Sequence, residues 1–195
     1  ADDPSAVFGV SNVENRLTSA KNRFPLLVKY LDAREPLSVQ VHPDDAAAAL
    51  LTPPDLGKTE AWLVLHSEPR SRIFSGLKQG VDRQTFERAI QGGTAEACLH
   101  AFEPVSGDCL FLRAGTVHAL GAGNVVLEIQ QASDTTFRLY DWNRVGTDGK
   151  PRQLHVEEGL ATVDFTLGPV HPMRPDPSRE TVNLVRCDWF ILDRH

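Results

Sequence analysis

Gly107-Asp108-Cys109-Leu110-Phe111-Leu112-Arg113-Ala114-Gly115-Thr116-Val117-His118 reads as an apolar strand that runs into a glycine turn and delivers a histidine. Two further β-rich runs follow it, Asn124–Gln131 and Thr136–Tyr140, set apart by Gly-rich or Ser/Asp turns. Upstream, Leu37–His42 alternates like a strand, Glu60–His66 is a second strand and Arg72–Ser75 extends a third, while the apolar Phe24–Leu31 starts the core. Many short strands joined by tight turns predict a mainly β chain, a barrel or jelly roll with a few inserted short helices.

The helices have local signals. Pro43-Asp44-Asp45 opens a short Ala-rich helix, Asp45–Leu51, stopped by Pro53-Pro54. Asp82–Ile90 has helical spacing, with Asp82 as N-cap and Gly92-Gly93 as its end. Thr94 caps a further short helix through His100, and His155–Ala161 is one more. Gly121-Ala122-Gly123 lacks the third glycine and the following helix of a nucleotide loop, so it reads as a hairpin turn. Four prolines in Pro169–Pro177 mark a linker, after which Thr181–Arg186 and Trp189–Asp193 read as strands. The first twenty or so residues are polar and are expected to be loosely ordered.

Composition narrows the function. A chain of 195 residues, 41% of them hydrophobic, can bury a substantial core. Its formal charge of −6 and dispersed basic residues argue against nucleic acid or an acidic membrane as partner. No apolar run is long enough to cross a bilayer. Cys98, Cys109 and Cys187 are scattered and odd in number, which fits reduced thiols in a cytoplasmic protein, and no CxxC pair offers a thiolate zinc site.

Four stretches carry the chemistry. In Ser38-Val39-Gln40-Val41-His42 a strand turns Ser38, Gln40 and His42 one way and the valines the other, as at a solvent face or the wall of a polar cavity. Gly57-Lys58-Thr59-Glu60-Ala61-Trp62 puts a carboxylate at a strand start, two residues after a lysine. His118 ends the strand–glycine stretch quoted first, and Glu128-Ile129-Gln130-Gln131-Ala132-Ser133-Asp134-Thr135-Thr136-Phe137-Arg138 leaves on one strand and returns with an arginine. Taken singly, each has an ordinary structural explanation: a capping histidine, a solvated carboxylate, an Arg138 pairing with Asp134 or Glu128. Together, two imidazoles, a carboxylate and an amide on the strands of a small barrel make a mixed nitrogen and oxygen site for a divalent metal.

The words Ser38–Asp45, Gly57–Trp62, Gly115-Thr116-Val117-His118-Ala119-Leu120 and Glu128–Arg138 resemble the signature segments of type I mannose-6-phosphate isomerases (phosphomannose isomerases), cupin proteins, and most closely their short bacterial branch. The resemblance runs from about Phe24 to Asp164. It implies a cupin jelly roll that binds Zn2+ through Gln40, His42, Glu60 and His118 and isomerises a small sugar phosphate. It places Arg138, Lys58, Glu128 and Asp134 at catalytic positions. Ser38, Lys58 and Arg144 are the substrate-binding candidates. The reaction moves a proton between C1 and C2 of mannose 6-phosphate and fructose 6-phosphate through a cis-enediol, so a developing oxyanion must be stabilised. Compared with complete family members the sequence is expected to be truncated at both ends. Residues 1–168 would form the metal-binding catalytic domain, and 169–195 a linker and the first strands of a second cupin half. The chain is expected to be a monomer or weak homo-oligomer. Two other functions compete with the isomerase: a non-catalytic sugar-phosphate-binding module, and an iron-dependent cupin oxygenase, which the Lys58/Arg138/Arg144 cationic set disfavours.

Overall fold

Alternation along the strands builds the molecule in layers. A computed structural model describes residues 24–146 and 149–195. The polar first twenty residues lie outside that range. The strands are β1 (Leu26–Ala33), β2 (Val39–Val41), β3 (Glu60–Ser67), β4 (Ile73–Leu77), β5 (Leu99–Phe102), β6 (Cys109–Leu112), β7 (His118–Leu120), β8 (Asn124–Gln131), β9 (Phe137–Tyr140), β10 (Val182–Arg186) and β11 (Ile191–Arg194). Among the described residues three short α-helices interrupt them: α1 (Asp45–Ala48), α2 (Arg83–Gln91) and α3 (Val156–Thr162). One antiparallel sheet has the order β1-β8-β3-β6, a second the order β5-β4-β7-β2-β9, and β10 and β11 form a hairpin. The predicted mainly β class holds, with two antiparallel sheets and few helices.

Three apolar clusters show how the layers stack. Trp62, Val64, Leu110, Leu112 and Val126 of the first sheet meet Ile73 and Leu120 of the second between the two sheets. The outer face of the second sheet is covered by Phe86 and Ile90 of α2 and Leu160 of α3. The outer face of the first, with Ala61, Cys109 and Ile129, is covered by Leu184, Val185 and Phe190 of the β10–β11 region. Each large side chain so buried stabilises the fold by roughly 1.5–3 kcal/mol. The wall between inner and outer faces is thin where α3 lands: a Cβ on Gly159 would stand 2.5 Å from Leu139 Cδ2, so only glycine lets that helix approach the sheet.

The local signals mostly act as read. Asp82 caps α2 by accepting from Thr85 N at 2.8 Å, and Asp44 caps α1 by accepting from Ala47 N at 2.8 Å. The differences are tertiary in origin. Helix α1 ends at Ala48 rather than Leu51; Ala48 O receives both Leu51 N and Asp55 N, which folds the chain back. The expected Thr94–His100 helix is a 3-10 turn over Ala95–Cys98 followed by β5. Thr94 makes no side-chain cap there, and pairing of Leu99 with Leu77 and Phe102 with Ile73 outweighs local helix preference. The Gly121–Gly123 turn is not a hairpin. It carries the chain from β7, paired with β2 and β4, to β8, paired with β1 and β3. Buried Asn124 fixes that crossing by donating Nδ2 to Gly121 O at 2.9 Å and Arg72 O at 3.2 Å. The proline-rich stretch lies against the first sheet, where Met173 and Cys109 exchange backbone hydrogen bonds at 2.8 and 2.9 Å. Among the described residues no helix is long and apolar enough to cross a membrane.

Candidate metal centre

Strand register brings three distant side chains to one place. Gln40 on β2 stands opposite His118 on β7 and Arg138 on β9, and directly paired residues project from the same face. Val39 and Val41 point to the opposite, apolar cluster, so the polar row of β2 faces the space between the sheets. Across that space, Glu60 begins β3 and pairs with Gln130. His42 follows β2, and its carbonyl receives Gly115 N at 2.8 Å. Gly115 adopts φ +85°, and a Cβ there would press on Asp164 at 3.0 Å, so the glycine of the His118 turn is structurally required.

His42, Glu60 and His118 are buried, and their ligand atoms lie within 4.8 Å of one another. His118 Nε2 is 3.2 Å from Glu60 Oε1, and His42 Nε2 is 3.6 Å from Glu60 Oε2. Neither contact has hydrogen-bond geometry: His42 Nε2 and both Glu60 oxygens are buried without a hydrogen-bond partner. Such orphaned polar atoms cost several kcal/mol unless something satisfies them. Ligands bound at about 2.0–2.2 Å around one tetrahedral ion stand roughly 3.3–3.6 Å apart, close to the 3.2 and 3.6 Å that separate Glu60 from the two imidazoles. The other imidazole nitrogens are held by the backbone: His42 Nδ1 by Thr135 O and His118 Nδ1 by Thr116 O, each at 2.9 Å. An N–H donated there leaves each Nε2 lone pair aimed inward, as metal-ligating histidines require. Gln40 Nε2 sits 3.3 Å from His118 Nε2, and a half-turn of the amide offers Oε1 to the same point. The residues present therefore fit a divalent metal.

Electrostatics agree. Burial, reinforced by Lys58 and His118 and opposed by Glu60, lowers His42 to about 3, so its imidazole is neutral and free to ligate. Burial works to raise Glu60, yet His42, His118 and Lys58 outweigh it and hold the carboxyl below its usual range. Lys58 Nζ stands 3.6 Å from Glu60 Oε2. Glu128 behaves oppositely. Burial first, then the Glu60 charge, pushes its carboxyl up against the pull of Lys58 and Lys29. Its oxygens take Trp62 Nε1 at 2.9 Å and Lys29 Nζ at 3.2 Å.

The remaining predicted residues sit as follows. Arg138 donates Nε to Ser38 Oγ at 3.2 Å and a guanidinium nitrogen to Gln153 O at 2.9 Å. Arg144 lies farther along, on Asp141 at 2.6 Å and Glu35 at 3.4 Å, and Asp141 also takes Arg152. Asp134 is exposed on the β8–β9 turn. Sequence reasoning missed Lys29, whose Nζ reaches both Glu128 and Gln130. Its one signal was a lysine flanked at two-residue spacing by Leu27 and Leu31, a cation on an otherwise apolar strand face. A separate cavity of about 650 Å³, lined by Arg72, Phe74, Lys78, Glu96, His100 and Tyr140 among others, shares no residue with this centre.

Comparison with known proteins gives the same picture. A family model described as phosphomannose isomerase type I, catalytic domain, matches residues 9–56. A mannose-6-phosphate isomerase of Bacillus subtilis is 36% identical over 176 residues, 89% of this chain and 56% of the relative. One from Streptococcus mutans is 40% identical over 180 residues, 89% of this chain and 55% of the relative. The crystal structure of a Bacillus subtilis mannose 6-phosphate isomerase superposes with a TM-score of 0.77 at 33% identity, covering 87% of this chain and 55% of that one. The chain thus spans about half the length of the curated relatives it matches. Over that half, the chain is similar in sequence and fold to type I phosphomannose isomerases, and it carries a buried His42/Glu60/His118 triad that could hold a metal.

Proposed function

We propose that this chain is a zinc-dependent aldose–ketose isomerase that interconverts mannose 6-phosphate and fructose 6-phosphate in the cytoplasm. The observation that carries the reading is the set of orphaned buried ligand atoms on His42 and Glu60, met by His118, in a chain with this similarity. Gln40, His42, Glu60 and His118 hold the ion. Zinc bound there supplies a redox-inert Lewis acid for the sugar oxygens. Arg138, on the same face as Gln40, stabilises the negative charge of the enediolate. Lys58 relays protons to the oxygens or helps hold the phosphate. Glu128, its carboxyl raised by burial, is the first choice for the base that carries the proton between C1 and C2, and exposed Asp134 the second. Ser38 and Arg144 receive the phosphate. In this reading residues 1–168 are the catalytic domain and 169–195 open a second cupin half.

The half-length match to the relatives favours one other reading, a sugar-phosphate-binding module without turnover. A coupled assay on mannose 6-phosphate separates the two. The isomerase reading predicts turnover by zinc-loaded protein, loss after EDTA and recovery on adding zinc. Binding of the sugar phosphate with no exchange of the C2 proton into solvent contradicts it and supports the module.

A further inference from the structure

We propose that Asp55 is a positioning residue for the metal ligand His42, acting through the turn between β8 and β9; this rests on the metal-site reading above. The path is a chain of short hydrogen bonds. His42 Nδ1 meets Thr135 O at 2.9 Å. The hydroxyl of the same threonine donates to Asp55 Oδ2 at 2.7 Å. Ser133 Oγ donates to that oxygen at 2.9 Å and receives Thr135 N at 3.2 Å, closing a ring of Asp55, Ser133 and Thr135. Leu56 N donates to Asp55 Oδ1 at 2.8 Å, which fixes the carboxylate itself. From the other side Gln130 Nε2 donates to Ser133 O at 2.8 Å. The turn is thus held at both ends, and the carbonyl it presents selects the His42 tautomer and aims Nε2 at Glu60.

An aspartate suits this place because every group facing it is a donor. Burial works to raise the carboxyl, but bonds from Thr135, Leu56 and Ser133 outweigh it, so the acceptor stays ionised. The amide introduced by D55N would present an N–H either to Leu56 N, which cannot accept it, or to the two hydroxyls, which would have to reverse and accept, and in both cases the charge-assisted bonds to the carboxylate are lost. Asp55 touches neither ion nor substrate in this scheme. It sets a ligand's orientation, a role whose loss typically costs about 10–100-fold in metal affinity.

Chelator competition on the apo protein tests this without substrate. D55N is expected to bind zinc about 10-fold or more weakly at unchanged stoichiometry. T135V should weaken binding by a smaller factor, and T135S, which keeps the hydroxyl, should match the wild type. The double variant D55N/T135V should lose no more than D55N alone, since both act on one path. D55N binding zinc within about twofold of wild type, or losses that multiply in the double variant, would overturn the proposal. If D55N does not fold by circular dichroism, T135V against T135S decides, and equal affinities overturn it. A failed isomerase reading shows itself separately, as zinc-loaded wild type without turnover.

Discussion

Glu60 and Asp141 are both buried carboxylates beside cations, and their surroundings are opposites. Asp141 is saturated: Arg144 reaches it at 2.6 Å, and Arg152 at 2.5 and 2.7 Å in a two-pronged contact. Glu60 has two imidazoles and an ammonium within 3.2–3.6 Å, yet neither oxygen has a hydrogen-bond partner. A fold seeking stability pairs a buried charge as Asp141 is paired. Ligand atoms held this close without bonding one another form a place that could hold a cation. The contrast separates a carboxylate whose bonds are all made within the fold from one whose oxygens could hold a metal.

Substitutions can break that separation, and the largest effect belongs to Glu60. E60Q is expected to lower turnover by at least about a thousandfold and to weaken zinc binding, read by steady-state kinetics and metal analysis, because the site loses its carboxylate ligand. Zinc content and turnover retained in E60Q would make Glu60 a structural residue like Asp141. Next comes R138A, expected to cost about 10²–10³ in kcat with zinc content retained, read by steady-state kinetics beside metal analysis. Smallest is D141N, a loss of about 1–2 kcal/mol in urea unfolding at neutral pH, discounted because both arginines are partly exposed, with zinc affinity unchanged. Its pH dependence has a definite sign. Burial tends to raise Asp141, but the arginine contacts outweigh it and the folded carboxyl is depressed. Its contribution is therefore full above the unfolded value near 4 and disappears as pH falls through the folded one. The gap between wild type and D141N should close in acid. A gap that widens there would contradict the assignment.

What the sequence disclosed follows from range. Alternation in Ser38–His42 placed Gln40 and His42 on one face, and the glycine turn before His118 was visible as a turn, because both are local patterns. Capping by Asp82 was equally local. The 3-10 turn and strand found in place of the Thr94–His100 helix depend on pairing with β4, which no window around residue 94 contains. Lys29 meets Glu128 across 99 residues, and Asp55 meets Thr135 across 80. Neither pair has a signature along the chain. Arg144 shows the same range: its type suggested a phosphate ligand, and its bonds to Asp141 and Glu35, the latter across 109 residues, add neighbours that residue type does not reveal. Residue type tells what a side chain can do, and only the fold tells which neighbours already occupy it.

The most direct test is zinc X-ray absorption on the loaded protein, with metal content measured beside it. One zinc per chain is predicted, with two imidazole nitrogens at about 2.0–2.1 Å and the remaining ligands oxygen. H42A should lose the ion. Absence of stoichiometric zinc, or a zinc site whose occupancy and spectrum are the same in H42A, would contradict a metal centre built on His42, Glu60 and His118.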